Sequence, residues 1–205
     1  MEMVIDNVNY YKLRATSYKL FANLFQIPQE GVIRDLETLR EVLLEYSEEF
    51  SDKDFRFLRK AKYYNKNLDL LKLDYAKLFV GPFEMFAPPY STIYLENTQE
   101  VMGRTSMRIL NYYKNAGLSI GDDCKVPTDH ITLQLEFLYY LSFKYVQTEL
   151  EFYEQQYLSF LNEILSVWLP KFTENIITYA QTPIYKELAY LLSKFVLTEW
   201  NNHFG

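Results

Sequence analysis

The sequence has a single cysteine, Cys124, in 205 residues. That excludes an internal disulfide and a cysteine-ligated metal cluster. Two histidines, His130 and His203, are too few for a histidine-rich metal site. With only 6 glycines and 7 prolines the chain has few of the breaks a many-stranded sheet requires. It also lacks any long run of Lys or Arg, and its net charge is -6. Nucleic-acid binding draws most of its affinity from basic side chains on phosphates, so that class of partner is not expected. No stretch reaches the ~18 apolar residues of a membrane span. Met1 to Tyr11 carries two acids before the first base and no apolar h-region, so no secretory signal and a cytoplasmic location are expected.

What the chain does contain is apolar and aromatic material at helical spacing. Hydrophobic residues make up 49% and aromatics 18%, the composition of a folding chain rather than a disordered one. Leu13, Leu20 and Leu24, beside Phe21 and Phe25, predict a helix over roughly residues 8 to 25. Ile33, Leu36, Leu39, Leu43 and Tyr46 predict a second. Ser51 followed by Asp54 has the form of a capping box and opens a third helical region running to Leu78, with a break at Asn65 to Asn67. Asn97 or Thr98 can cap a helix from about Gln99 to Asn115 that stops at Gly117. After a polar loop, Pro127 with Thr128 or Asp129 starts a strong helix through Leu141. Another carries Tyr153, Tyr157, Phe160, Ile164 and Trp168, and Pro170 is expected to interrupt it before a short piece to Ala180. Pro183 opens the last helix. The expected fold is all-α, one globular helical domain of seven or more helices.

Residues 81 to 95 break this pattern with Gly81, Pro82, Pro88 and Pro89 interleaved with Phe83, Phe86 and Tyr90. Prolines remove backbone donors and hold the chain extended, so an ordered loop is expected. An acidic protein with an aromatic, proline-stiffened loop is suited to gripping an apolar peptide with a basic flank.

Candidates for catalysis are few. Cys124 lies beside Asp122 and Asp123, which disfavour its thiolate. Asp129 and Glu136 are seven apart and share a helix face, where they could act as an acid/base pair or metal ligands. A capping role for Asp129 and, for Glu136, a pairing with a base or a place facing water explain them better. There is no second Glu-x-x-His set of the kind a di-iron bundle uses. Neither a Gly-x-Ser-x-Gly elbow nor a phosphate-binding loop occurs, so no cofactor is expected.

Two segments carry a specific pattern: Tyr75-x-x-Leu78-Phe79 followed by Gly81-Pro82, Pro88-Pro89-Tyr90 and Tyr94, and Pro127-x-Asp129-His130 followed by Leu135-Glu136-Phe137. In these the chain resembles the redox-enzyme maturation chaperones of the TorD/DmsD/NarJ family, with Tyr75 where some members carry Trp. The resemblance is specific between about residues 74 and 140. It implies a helical domain over residues 1–205, with an N-terminal helical group to about 80, a hinge-like loop over about 81–97 and a C-terminal group from about 98. It further implies a non-enzymatic chaperone that binds the twin-arginine leader peptide, or the apo catalytic subunit, of a molybdenum-cofactor oxidoreductase and delays export until the cofactor is inserted. The client-binding residues it implies are Tyr75, Leu78, Phe79, Pro88, Pro89, Tyr90, Asp129 and His130, with Tyr94 and Glu136 as further candidates. Helical spacing alone would place Tyr75, Leu78 and Phe79 in a core. Two alternatives remain: a NarJ-like assembly chaperone that acts without leader binding, and a small hydrolase built on Asp129, His130 and Glu136. A monomer and a domain-swapped dimer are both compatible with such a fold.

Overall fold

The computed structural model describes residues 7–65, 67–81, 84–96, 103–121 and 126–205. Among them the chain forms α1 (Asn7–Leu24), α2 (Val32–Tyr46), α3 (Leu58–Asn65), α4 (Leu68–Tyr75), α5 (Ser91–Leu95), α6 (Arg104–Asn115), α7 (Ile131–Thr148), α8 (Glu151–Phe160), α9 (Ser166–Tyr179) and α10 (Pro183–Phe204). The only β-type pairing among the described residues is an isolated antiparallel bridge between Tyr90 and His130. The all-α expectation holds.

A helix that is apolar around most of its circumference belongs inside a protein. In α1, Leu13, Ala15, Tyr18, Leu20, Phe21, Ala22 and Leu24 are all buried, and α1 is accordingly central. It packs most extensively on α7 and also against α2, while α9 lies on α10. Aromatic rings fill the space between: Phe195 of α10 sits 5.0 Å from Tyr18 and 5.1 Å from Tyr46, tying three helices together.

The predicted elements appear with three differences. Ser51 donates its amide to Asp54 at 2.9 Å, but the capped element is the four-residue 3₁₀ turn Asp52–Phe55, and α3 and α4 follow separately on either side of the expected break. The segment expected to stay extended to residue 95 instead becomes helical at Ser91. Pro170, expected to end a helix, lies inside α9. It lacks the amide that would bond to Ser166, where a wide π turn (Leu161–Leu165) meets α9. Burial of Trp168, Leu169, Phe172 and Ile176 holds the helix through the defect. The start of the helix expected from Gln99, its Asn97 or Thr98 cap, and Cys124 fall outside the described residues. Gly117 ends α6 with φ +79°, the left-handed turn a C-terminal glycine supplies.

The core also encloses a charged cluster. Arg14 is fully buried, and its guanidinium meets Glu154 through two bonds of 2.8 and 2.5 Å, with a third to the Ser142 hydroxyl at 3.1 Å. The Tyr157 ring lies 3.7 Å from the guanidinium carbon. Glu199, also fully buried, stands 3.8 Å from Arg14 and accepts bonds from Tyr10 at 2.8 Å and from the Tyr46 and Tyr157 hydroxyls. Burial pushes the Glu199 carboxyl up to about 7, against the opposing pull of Arg14 and Tyr10. His203, 3.9 Å from the same carboxylate, is held below its usual value by burial.

Two outcomes follow. Arg14→Leu strands two buried carboxylates and should cost about 3–5 kcal/mol in chemical denaturation. Glu199 binds its proton more tightly folded than unfolded, so its contribution to stability declines as pH rises from about 4.5 to about 7 and is flat above that. Denaturation midpoints of Glu199→Gln, measured across that window, should lose this decline.

Candidate functional site

The Tyr75–Tyr94 stretch begins where α4 widens into the π turn Ala76–Val80, closed by the Gly81 amide on the Ala76 carbonyl at 2.7 Å. Asp74, just before it, is buried and reaches across the protein to the start of α10. Its carboxylate accepts from the amides of Gln181 (3.0 Å) and Thr182 (2.7 Å) and from the Thr182 hydroxyl (2.7 Å). The extra residue in the π turn directs Leu78 and Phe79 inward, both buried, with Phe79 5.1 Å from Tyr75 and 5.6 Å from Tyr185. Gly81 then turns the chain with φ +52°, and a Cβ there would lie 2.2 Å from the Glu84 carbonyl oxygen, so no other residue fits. The returning segment is tied by the Ala87 amide to the Leu78 carbonyl at 2.8 Å. Phe86 packs at a tilt on Tyr179 of α9 at 5.0 Å, and the Lys77 ammonium lies 5.1 Å from its ring.

The second segment fastens to this loop directly. The Ile131 amide donates to the Pro89 carbonyl (2.8 Å) and the Ser91 amide to the Asp129 carbonyl (3.1 Å), forming the Tyr90–His130 bridge. The side chain of Asp129 accepts from the Thr92 amide at 3.1 Å, inside the first turn of α5. Ser and Thr are weak helix formers, and this borrowed cap accounts for a helix where the sequence reads as loop. The cap of α7 itself is His130, whose Nδ1 accepts from the Thr132 amide at 3.2 Å. The sequence assignment of that role to Thr128 or Asp129 is therefore corrected: the backbone of Asp129 is committed to Ser91 and its carboxylate to α5.

Burial lowers the His130 pKa to about 4, with Asp129 opposing only in part. The imidazole is neutral at pH 7, and its Nδ1 also meets the Thr132 hydroxyl at 2.8 Å. Nδ1 is thus engaged by Thr132 rather than by Asp129, whereas a hydrolytic Asp-His pair bonds the carboxylate to that nitrogen. The Tyr90 ring meets His130 edge-on at 5.3 Å, and burial together with Asp129 raises the Tyr90 pKa.

Three residues that the sequence reading did not single out hold this junction. Gln134 donates to the Asp129 carbonyl at 2.6 Å and accepts from Trp168 at 3.1 Å, and Thr92 pairs with Ser106 at 3.0 Å. A glutamine on a helix carries no signal of such a role. Only the burial of neighbouring Ile131, Leu135 and Leu138 would have pointed inward.

The structure thus brings Tyr75, Pro88, Pro89, Tyr90, Asp129 and His130 to one junction. Pro88, Tyr90 and His130 are half-buried there, Pro89 is buried, Tyr75 is 9% exposed and Asp129 is fully enclosed. Leu78 and Phe79 lie beneath it as core. Tyr94 packs on Trp168 at 5.5 Å and receives a 3.5 Å bond from Asn175. Glu136 stands apart, two turns down α7, paired with Lys19 at 3.1 Å on the edge of an apolar hollow of about 380 Å³ lined by Leu118, Ile120, Leu133 and Phe137. Among the described residues no three His, Cys, Asp or Glu side chains gather as a metal site, and no helix is long and apolar enough to cross a membrane.

Fold and junction together describe a helical protein that presents a proline-aromatic loop clasped by the start of α7. The family model described as nitrate reductase delta subunit matches residues 29–174, and the chain belongs to that family, which includes the TorD and NarJ proteins. Among its relatives, the chaperone protein TorD of Vibrio vulnificus is 27% identical over 135 residues, covering 63% of this chain and 62% of that protein. The chaperone protein TorD of Salmonella newport is 32% identical over 130 residues, covering 62% and 57%. The matched region therefore spans less than two thirds of these relatives. An Archaeoglobus fulgidus crystal structure, described as a redox enzyme maturation protein, superposes with a TM-score of 0.58 at 22% identity, over 89% of this chain and 93% of that one, and so shares the fold.

Gly81→Ala should cost about 1–3 kcal/mol in thermal or chemical denaturation, from the strained φ and the clash with the Glu84 carbonyl.

Proposed function

We propose that this protein is a non-catalytic cytoplasmic chaperone for the maturation of a molybdenum-cofactor oxidoreductase, and that it binds the client's twin-arginine leader at the loop clasped by Asp129–Ile131. The observation that carries this reading is the loop itself. It is proline-stiffened and aromatic, it is fastened to the other motif of the family pattern, and Pro88, Tyr90 and the Phe86–Tyr179 pair stand at its surface. A leader of this kind has a basic start followed by an apolar stretch. Apolar burial on such rings contributes ~25 cal/mol per Å² before the ordering of the peptide is subtracted. The net charge of -6, with Glu84 exposed on the loop, favours the basic end.

Membership of a family described by a nitrate reductase subunit supports a second reading, in which the apo catalytic subunit is bound without its leader. Calorimetry with a synthetic leader peptide, and separately with the leaderless apo subunit of a neighbouring oxidoreductase gene, distinguishes the two. The leader should bind, and Tyr90→Ala should weaken it about tenfold while leaving the denaturation midpoint nearly unchanged. Binding of the leaderless subunit alone transfers the assignment to the second reading. Binding of neither defeats both.

A further inference from the structure

Asp129 is the residue of this junction that a basic client would be expected to contact, yet it has no exposed surface. One carboxylate oxygen is committed to the Thr92 amide at 3.1 Å. The other, like the hydroxyl of adjacent Ser91, has no hydrogen-bond partner among the described residues, and Ser91 is equally sealed from solvent. A guanidinium cannot reach Asp129 here without unseating α5 and the Pro88–Tyr90 turn. Meanwhile Asp129 acts on that turn from two sides: its carbonyl holds the Ser91 amide at 3.1 Å and its carboxylate caps the helix that begins at the same residue. Gln134, anchored by Trp168, braces the same carbonyl at 2.6 Å. Thr92 is held from beyond by Ser106, whose carbonyl in turn accepts from Thr128 at 3.3 Å.

We propose that Asp129 is a positioning residue: it sets the Pro88–Tyr90 turn in its binding conformation by capping α5 across the chain, and it makes no direct charge contact with the client. The inference concerns the same surface as the proposed function and, for its binding arm, rests on that reading. What it needs from position 129 is an acceptor oxygen, not a negative charge, and Asn caps a helix as well as Asp does.

The test compares Asp129→Asn with Asp129→Ala in the full chain. Amide hydrogen exchange at Thr92 and Ile131 reads the clasp without any client. Exchange should stay slow in the Asn variant and accelerate at least about tenfold in the Ala variant. Calorimetry then uses a synthetic peptide with two consecutive arginines followed by an apolar stretch. The Asn variant should bind within about threefold of the parent and with the same salt dependence, whereas the Ala variant should bind at least about tenfold more weakly. An Asn variant that keeps slow exchange but loses binding and its salt dependence would overturn the inference in favour of a direct ionic contact. Unchanged exchange at Thr92 in the Ala variant would overturn it as well. Should the Ala variant not fold, the Asn variant alone decides by the same criteria. If the peptide fails to bind even the parent, the leader reading falls, and the exchange pattern still decides the role of Asp129 in the clasp.

Discussion

The arrangement of helices depends on one buried cation. Arg14 has no exposed surface, and a guanidinium in that position is tolerable only when its donors are matched. They are matched by groups from different helices: Glu154 from α8, Ser142 from α7, and Glu199 from α10 at slightly longer range. The tyrosines around Glu199 extend the network to α2 through Tyr46. A hydrophobic core of Leu and Phe admits several packings of similar energy. A buried guanidinium with fixed partners admits few, so the cluster sets which helices meet and at what register.

The same device, a carboxylate reaching a distant part of the chain, recurs on either side of the proline-aromatic loop. Asp74, at the end of α4, holds the Gln181–Thr182 backbone that leads into α10, and Asp129 caps α5 from the start of α7. Asp129 occupies a helix N-terminus, where unpaired amides favour an anion, and Asp74 lies just ahead of one. Between them lies the turn Pro88–Tyr90, whose prolines cannot donate to a neighbouring strand. The chain therefore fixes this turn through the groups around it: the Pro89 carbonyl, the Ser91 amide and the first turn of α5. This gives a half-buried aromatic segment a defined shape without enclosing it fully.

The sequence disclosed the helices because their apolar spacing is local. Leu13, Leu20 and Leu24 announce α1, and Ile33 to Tyr46 announce α2, in the same form in which they are buried. It disclosed the two motifs of the site through composition and family resemblance. It did not disclose the contacts between them. Arg14 and Glu154 are 140 positions apart and Asp74 and Thr182 are 108 apart, and neither pair has a local pattern. Asp129 shows how local reasoning fails: next to a helix start it reads as that helix's own cap, yet backbone pairing with Ser91 turns it toward α5 and leaves the task to His130. Pro170 fails for the opposite reason, since burial of its neighbours overrides what the residue does to a helix in isolation.

The Arg14 cluster also bears on how the chain can be made. Its partners are spread from α1 to α10, and Glu199 and His203 belong to the last turns of the final helix. During synthesis Arg14 is made 185 residues before Glu199. Until then the interior surface of α1 has no complete set of neighbours, and the leading helices must wait in a loosely packed state. A core closed in this way cannot be completed until α10 has been made.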